Sequence, residues 1–175
     1  MNSQRGFTLI ELLIVVTIAG VIAAIALPAF DRVFTRNGLS SAVVQFQAAL
    51  STARSEAIKR RADVFVVPNG SATTDWGKGW AVVTDSSVGY SDCNSATPNA
   101  ACVFVSESYD DITVTASFAS ITIGSNGRSN VASDATTADD VFIFCPSSPP
   151  SSFKASRVTL LLAGGSKVET GADCT

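Results

Sequence analysis

The feature that most restricts this 175-residue chain is a run of 19 residues near its amino terminus, 12–30, in which no side chain is charged. About 20 consecutive residues of that kind are what an α-helix needs to cross the hydrocarbon core of a bilayer. Arg5 precedes the run, and a positive charge on that side favours an amino terminus that stays in the cytoplasm. The sequence therefore predicts a membrane-anchored helix, with the remaining residues on its far side.

Three interpretations of this segment differ in where the chain is cut. A secretory signal would be cleaved after Ala26, which ends a small-x-small sequence. A permanent anchor would stay intact, and a short leader would be removed between Gly6 and Phe7. Glu11 favours the short leader, because a carboxylate at the centre of a membrane costs about 2.5–3.5 kcal/mol and needs a partner. Cleavage after Gly6 creates an amine one helical turn before Glu11, on the same chain or on a neighbour.

Residues 5–13, Arg-Gly-Phe-Thr-Leu-Ile-Glu-Leu-Leu, resemble the amino-terminal signature of type IV pilins and pseudopilins. The resemblance implies that a prepilin peptidase removes residues 1–6 as a leader, by cleaving between Gly6 and Phe7, and then methylates the new amine of Phe7. It also implies that Glu11 pairs with the amine of an adjacent subunit during filament assembly. Pro28 matches a family position at which the helix bends or loosens, as expected for a residue that cannot donate a backbone hydrogen bond.

Apolar side chains continue beyond this run at intervals of three and four residues, the period of an amphipathic helix. They are Leu39, Val43, Phe46, Leu50, Ala53 and Ala57. We expect one helix from Phe7 to Arg61, with this stripe packed on the sheet of its own domain. The expected organisation is a prepilin leader over 1–6, a hydrophobic transmembrane or filament-core helix over 7–30, an amphipathic helix over 31–61, and a globular β-rich head over 62–175.

The period changes to that of β-strands after residue 62. Short runs rich in β-branched and aromatic residues alternate with turns rich in Gly, Pro, Asn and Ser. Strands are expected at 63–67, 101–105, 112–116, 120–123, 141–144 and 157–162, and a hairpin or bulge that enters a strand is expected at 76–83. One long helix followed by many strands predicts an α+β fold, in which the amino-terminal helix packs on a head of antiparallel sheet. That arrangement is type IV pilin-like.

Four cysteines without a Cys-x-x-Cys spacing favour disulfide bonds, and therefore an oxidising compartment. Cys93 and Cys102 lie in one stretch rich in Ser, Asn and Ala, and they are expected to staple it. Cys145 and Cys174 are expected to tie the carboxyl terminus to the end of a strand. Four cysteines allow three connectivities, so the other two stay open.

The chain contains no histidine, which excludes a Ser-His-Asp or Cys-His catalytic group and a histidine-ligated metal site. We expect no catalytic residue, no metal and no cofactor. The net charge is −3, and it is unevenly distributed. Residues 31–61 carry six basic and two acidic side chains, whereas residues 62–175 carry five basic and twelve acidic side chains. An acidic head repels phosphate, which disfavours nucleic acid as a partner.

The head resembles the GspH/FimT-type group, through Trp76-Gly77-Lys78-Gly79-Trp80 and through Cys145 and Cys174 near the carboxyl terminus. This group includes FimT/FimU-like minor pilins of type IV pili and a minor pseudopilin of type II secretion. Its DNA-binding competence pilin carries a Gly-Arg-x-Arg motif, where this chain has Gly164-Gly165-Ser166-Lys167. Only one cation of that motif is kept, and the candidate DNA contacts are Lys154, Arg157 and Lys167.

The resemblance implies a minor type IV pilin that primes pilus assembly and connects a tip complex to the major pilin shaft, supporting adhesion and twitching motility. The expected partners are the prepilin peptidase, other minor pilins, the major pilin and the inner membrane before assembly. The expected location is the inner membrane, as a single-pass protein with a periplasmic head, and then the extracellular pilus near its tip. A DNA-binding competence pilin and a GspH-type minor pseudopilin are the alternatives.

Overall fold

The computed structural model describes residues 8–70, 75–116, 118–130, 141–148, 153–161, 163–172 and 174, and gives the backbone alone for 25–32 and 172. The chain divides into two compact units, Met1–Asn37 and Gly38–Thr175. A single helix, α1, runs from Leu9 to Arg60 and contributes to both units. The second half of the long helix therefore belongs to the same unit as the strands.

The described side chains of the first unit are exposed, apart from the half-buried Thr35. Every described side chain from Thr8 to Ala24 is exposed. Ten large apolar side chains between Leu9 and Ile22 are 54–79% exposed. No helix within the described part of the chain is both long enough and apolar enough to cross a membrane. The backbone is helical through Pro28, whose side chain lies outside the described residues.

The second unit contains two four-stranded antiparallel sheets. The strands are β1 Val64–Pro68, β2 Trp80–Val83, β3 Cys102–Val105, β4 Ile112–Ala116, β5 Ile121–Ile123, β6 Val141–Pro146, β7 Ala155–Leu160 and β8 Ser166–Ala172. The first sheet has the order β3-β2-β1-β5 and the second has the order β4-β6-β7-β8. All described strand pairs are antiparallel, which confirms the expected α+β fold.

The apolar stripe of α1 forms the centre of the core, as its period predicts. All six of its side chains are buried, with exposed fractions of 0–5%. The ring of Phe46 lies among four others, with ring centroids 4.4–5.9 Å from its own; these belong to Trp76, Trp80, Phe142 and Phe144. Because Phe142 and Phe144 lie on β6 and Trp80 on β2, α1 packs against both sheets.

The end of α1 is set by local backbone geometry. Arg61 adopts a left-handed conformation, with φ of 54°. The N–H of Ala62 donates to the carbonyl of Ala57 at 3.3 Å, which satisfies one of the last free carbonyls of the helix. The chain then turns back into β1.

The hairpin or bulge expected before β2 is wrong, because Asp75–Lys78 forms a 3₁₀ helix. Lys78 Nζ lies 2.6 Å from Asp75 Oδ1, and the indole N–H of Trp76 donates to the carbonyl of Phe118 at 3.0 Å. These contacts hold a compact turn that buries Trp76, which a hairpin arm would leave at the edge of the sheet. Gly79, with φ of 108°, then redirects the chain into β2.

One strand, β8 (Ser166–Ala172), was not among the expected strands, and the other differences from the sequence expectations are small. The six expected strands are present, with ends shifted by one or two residues where the structure describes them. A short helix, α2 (Tyr90–Cys93), lies in the stretch that was expected to be only a loop. Asp92 closes its start, because its carboxylate accepts the backbone N–H of Gly89 at 2.8 Å.

Candidate functional site

The processing residues lie outside the described part of the chain, and the assembly residue lies inside it. Gly6 and Phe7 fall in the undescribed amino terminus, so their predicted roles stay predictions. Glu11 is exposed in the first turn of α1. Its backbone N–H donates to Thr8 Oγ1 at 3.3 Å, so Thr8 caps the start of the helix. No basic side chain in the described residues pairs with the carboxylate of Glu11, which is therefore available to an external cation.

An uncharged apolar surface follows Glu11 on all sides of the helix. Leu12, Leu13, Ile14, Val15 and Val16 are consecutive and 54–61% exposed. Successive helical residues are rotated by about 100°, so five in a row cover the whole circumference. A helix that is apolar all round is normally covered on all sides, by other helices or by lipid. The segment therefore provides a surface suited to burial together with one acidic group.

The basic residues that end α1 are largely satisfied within the helix. Lys59 Nζ lies 3.3 Å from Glu56 Oε1, and Arg60 Nε lies 2.7 Å from Glu56 Oε2. Hydrogen bonds from Arg60 and Lys59 hold the pKa of Glu56 below its usual value. Both cations also lie at the negative end of the helix dipole, which suits their charge.

The three candidate DNA contacts do not form an unopposed basic surface. Lys167 Nζ lies 2.6 Å from Glu169 Oε1 on β8. Arg157 on β7 is directly opposite Glu169 in the strand register. The hydrogen bond from Lys167, with a smaller effect of Arg157, lowers the pKa of Glu169. Lys154 is exposed before β7 and makes interactions of its own. A carboxylate between two of the three cations repels phosphate.

The glycine that aligns with the competence motif serves packing. Gly164 lies in the β7–β8 turn with φ of 76°. A Cβ atom at this position would overlap the carbonyl oxygen of Gly127. Gly165, in contrast, has no neighbour closer than 3.9 Å to such an atom. Of the two glycines, only Gly164 is required by the fold.

The cysteines form two disulfide bonds in the pairs favoured from the sequence. Cys93 at the end of α2 is bonded to Cys102 at the start of β3, and Cys145 on β6 is bonded to Cys174. Within the described residues, no group of three or more His, Cys, Asp or Glu side chains is arranged to hold a metal ion. These bonds fasten α2 to β3 and the chain end to β6.

Sequence reasoning missed a surface around the turn at Gly127. Ile58 lies on α1 outside the buried stripe and is 50% exposed. Its side chain and that of Arg54 lie next to Gly127, and Arg61 and Arg128 flank them in the chain. The signals that could have indicated this surface were an isoleucine off the helical stripe and the tight-turn sequence Asn126-Gly127.

Two family models match the chain. The model described as "Type II transport protein GspH" matches residues 42–164, more than two thirds of the sequence. The model described as "Prokaryotic N-terminal methylation motif" matches residues 1–27. The first match covers α1 from residue 42 onward and strands β1 to β7, and the second covers Gly6, Phe7 and Glu11.

Curated relatives match the amino-terminal region. A "Fimbrial protein" of Pseudomonas aeruginosa is 48% identical over 58 residues, which are 33% of this chain and 37% of that protein. A "Type IV major alpha-pilin" of Moraxella bovis is 57% identical over 37 residues, 21% of this chain and 23% of that protein. The chain thus spans about a quarter to a third of the length of the curated relatives it matches.

Two solved structures match the fold over about four fifths of the chain. The type IV minor pilin FimU of Pseudomonas aeruginosa superposes with a TM-score of 0.58 and 21% identity, over 80% of this chain and 97% of that one. A second crystal form of the same protein gives a TM-score of 0.56 and 19% identity. At this identity the likeness shows the fold, an amino-terminal helix packed on antiparallel sheets. The family-model match over residues 42–164 shows that the chain belongs to the GspH family of pilin-like proteins, and the shared fold agrees with this assignment.

Proposed function

We propose that the chain is a minor type IV pilin that primes pilus assembly and connects a tip complex to the major pilin shaft. In this proposal a prepilin peptidase cleaves between Gly6 and Phe7 and methylates Phe7. The processed chain is held in the inner membrane with its head in the periplasm, and then enters the pilus near its tip. The match of the methylation motif to residues 1–27 supports the processing step.

The observation that carries the proposal is the uncovered apolar helix that begins at Glu11. Ten large apolar side chains are more than half exposed in the isolated chain. Covering each contributes about 1.5–3 kcal/mol, so covering the segment contributes on the order of 10 kcal/mol or more. Transfer from lipid to a bundle of neighbouring helices keeps these side chains covered, which is what a filament subunit requires.

Glu11 makes the transfer specific. Glu11 follows the proposed new amino-terminal residue, Phe7, by four positions in the sequence, and its carboxylate has no basic partner in the described residues. In a packed helical core an unpaired charge costs several kcal/mol, and an amine from the adjacent subunit offsets that cost. The proposed role of Glu11 is therefore to select the subunit register in which it meets that amine.

A structural rather than catalytic role agrees with the chemistry of the head. Its sequence contains no histidine, and its large side chains form an interior of packed rings and aliphatic groups. We propose that the head acts through its surface, on other minor pilins and on the major pilin, and that it uses no cofactor. Adhesion and twitching motility would follow from pilus assembly.

The alternative of a minor pseudopilin rests on the description of the matching family model, a type II transport protein. The two roles use the same processing and the same helix, so they differ only in the filament that the chain enters. Deleting the gene separates them: loss of surface pili supports a minor pilin, whereas intact pili with a failure to secrete exoproteins supports a pseudopilin.

The alternative of a DNA-binding competence pilin is less well supported. Lys167 is paired with Glu169, and Arg157 faces the same carboxylate. Affinity for DNA at physiological salt rises with the number of phosphates that cations neutralise. The proposal therefore expects only weak binding of duplex DNA.

The proposal is tested by variants at Glu11 in the native host. Glu11→Gln and Glu11→Ala should be cleaved normally and accumulate in the inner membrane, while their amount in sheared pili falls, more for alanine. Gly6→Glu is the matched control, since it should leave the leader uncleaved. Wild-type incorporation of Glu11→Ala would contradict the pairing role, and failure of its cleavage would show that Glu11 serves processing instead.

A further inference from the structure

One end of the head carries an exposed apolar side chain beside an arginine, with two further arginines close to it in the chain. Ile58 is 50% exposed. A Cβ atom built on Gly127 would lie 2.9 Å from Ile58 Cδ1 and 3.2 Å from Arg54 Nε, so both side chains pack over this turn. Arg61 follows Ile58 by three residues, just past the end of α1, and Arg128 follows Gly127. We call Arg54, Ile58, Arg61 and Arg128 the basic patch.

The cations of the basic patch differ from their neighbours in having no acidic partner. Lys59 and Arg60 both contact Glu56, within 3.3 and 2.7 Å. Among the described residues, no carboxylate lies within ion-pair distance of Arg61 or Arg128, and both side chains are exposed. An exposed isoleucine next to unpaired arginines is typical of a protein interface, where arginine and apolar groups are enriched.

The opposite end of the head carries an acidic loop. Glu107, Asp110 and Asp111 are exposed, and no basic side chain in the described residues pairs with them. We call residues 107–111 the acidic loop. Backbone hydrogen bonds hold the acidic loop in place. The N–H of Tyr109 donates to the carbonyl of Gly77 at 3.1 Å, and the N–H of Ser147 donates to the carbonyl of Asp111 at 2.8 Å.

The strand register places the patch and the loop at opposite ends of the sheets. Val64 pairs with Ile123, next to the turn that holds Gly127. Pro68 pairs with Trp80, whose carbonyl accepts the N–H of Ser106 just before the acidic loop. Val64 and Pro68 are four residues apart on β1, so the two ends of this strand are separated by about 13 Å, at roughly 3.3 Å per residue. Each end is thus accessible to a second molecule without blocking the other.

We propose that the basic patch of one head docks on the acidic loop of a second copy, so that heads associate end to end. The two surfaces have opposite charge and are rigidly attached to the same head, so the association repeats with one polarity. In such a heterologous contact the two copies use different surfaces. Unless the rotation from one copy to the next closes a ring, the contact extends into an open chain of heads. The inference concerns the head alone and stands whether or not the chain enters a pilus.

A protein partner fits the basic patch better than a nucleic acid. Its centre is apolar, and Ile58 offers nothing to a phosphate. Lys59 and Arg60, the neighbouring cations on α1, are already paired with Glu56. The three arginines of the patch by themselves neutralise too few phosphates for useful affinity at physiological salt. A carboxylate-rich loop needs only those few contacts.

The test uses the purified full chain in detergent and two neutral variants, one for each end. Arg61→Gln with Arg128→Gln removes two of the three positive charges of the patch. Asp110→Asn with Asp111→Asn removes two of the three negative charges of the loop while keeping its shape. Sedimentation velocity should show salt-sensitive oligomers of the wild type. Each variant alone should associate at least about tenfold more weakly. Mixed together they should form 1:1 dimers and nothing longer, because each retains the end that the other lacks.

A control pair removes two positive charges elsewhere. Lys154→Gln with Lys167→Gln should associate like the wild type. Association that is equal in all variants, or insensitive to salt, would show that it arises from the apolar helix and would overturn the proposal. Failure of the mixture to form dimers would overturn end-to-end docking. Tight binding of duplex DNA that is lost with Arg61 and Arg128, without self-association, would assign the patch to nucleic acid instead.

Discussion

Replacing Phe46 by alanine should remove a large part of the stability of the head. The Phe46 ring is fully buried, with the rings of Trp76, Trp80, Phe142 and Phe144 around it at 4.4–5.9 Å. Loss of a buried phenylalanine ring costs about 3–5 kcal/mol. The upper end of that range is expected, because neighbours from a helix and both sheets would all have to move to fill the space. A domain has only about 5–15 kcal/mol to lose.

The assay is urea unfolding of a shortened chain that begins at residue 36. Unfolding is monitored by the fluorescence of Trp76 and Trp80. This chain lacks the charge-free run and is expected to be soluble and folded. Val44→Ala is the matched control: Val44 is two residues away on the same helix and 62% exposed, so its loss should cost less than about 0.5 kcal/mol. A cost for Phe46→Ala below about 1 kcal/mol, or equal to that of the control, would refute the packing of α1 as the centre of the core.

Three further results are expected. Gly164→Ala should destabilise the head by about 1–3 kcal/mol in the same assay, because its methyl group overlaps the carbonyl of Gly127, whereas Gly165→Ala should be nearly neutral; equal costs would contradict the close approach. Burial raises the pKa of Tyr109 to about 12 in the folded head, so stability should be full below about pH 10, where an unfolded tyrosine ionises, and fall between about pH 10 and 12. Tyr109→Phe should lessen that fall in urea titrations, and an unchanged pH profile would count against the burial of this hydroxyl. In gel shifts near physiological salt the shortened chain should bind duplex DNA with a dissociation constant no tighter than about 10⁻⁶ M, and tighter binding would favour a competence pilin.

The sequence predicts the elements whose period is strong. All six side chains of the helical stripe from Leu39 to Ala57 lie in the core. Residues spaced by three and four positions lie on one face of a helix, and an apolar face packs against the rest of the domain. Strand β4 alternates in the same direct way: Ile112, Val114 and Ala116 are buried and the threonines between them are exposed. Both patterns are set by the local backbone and by which face meets the core.

Elements that depend on distant contacts could not be predicted. The 3₁₀ helix at Asp75–Lys78 forms because the indole of Trp76 reaches the carbonyl of Phe118, 42 residues away. The requirement for glycine at position 164 arises from Gly127, which is remote in sequence. The cluster of basic residues at the end of α1, including Arg54 and Arg61, is visible in the sequence. Its meeting with the turn that holds Gly127 is not, since these two parts of the chain come together only in the folded head. Glu11 could be proposed from the sequence because its signal, one acid beside a charge-free run, is local.

The most direct test of the proposed function is mass spectrometry of this chain recovered from sheared and washed pili. The account predicts a mature amino terminus at N-methylated Phe7 and an amount far below that of the major pilin. A chain that begins at Leu27 would show an ordinary secretory signal, and a processed chain that is absent from pili would exclude a pilin role. Either result would contradict the central claim.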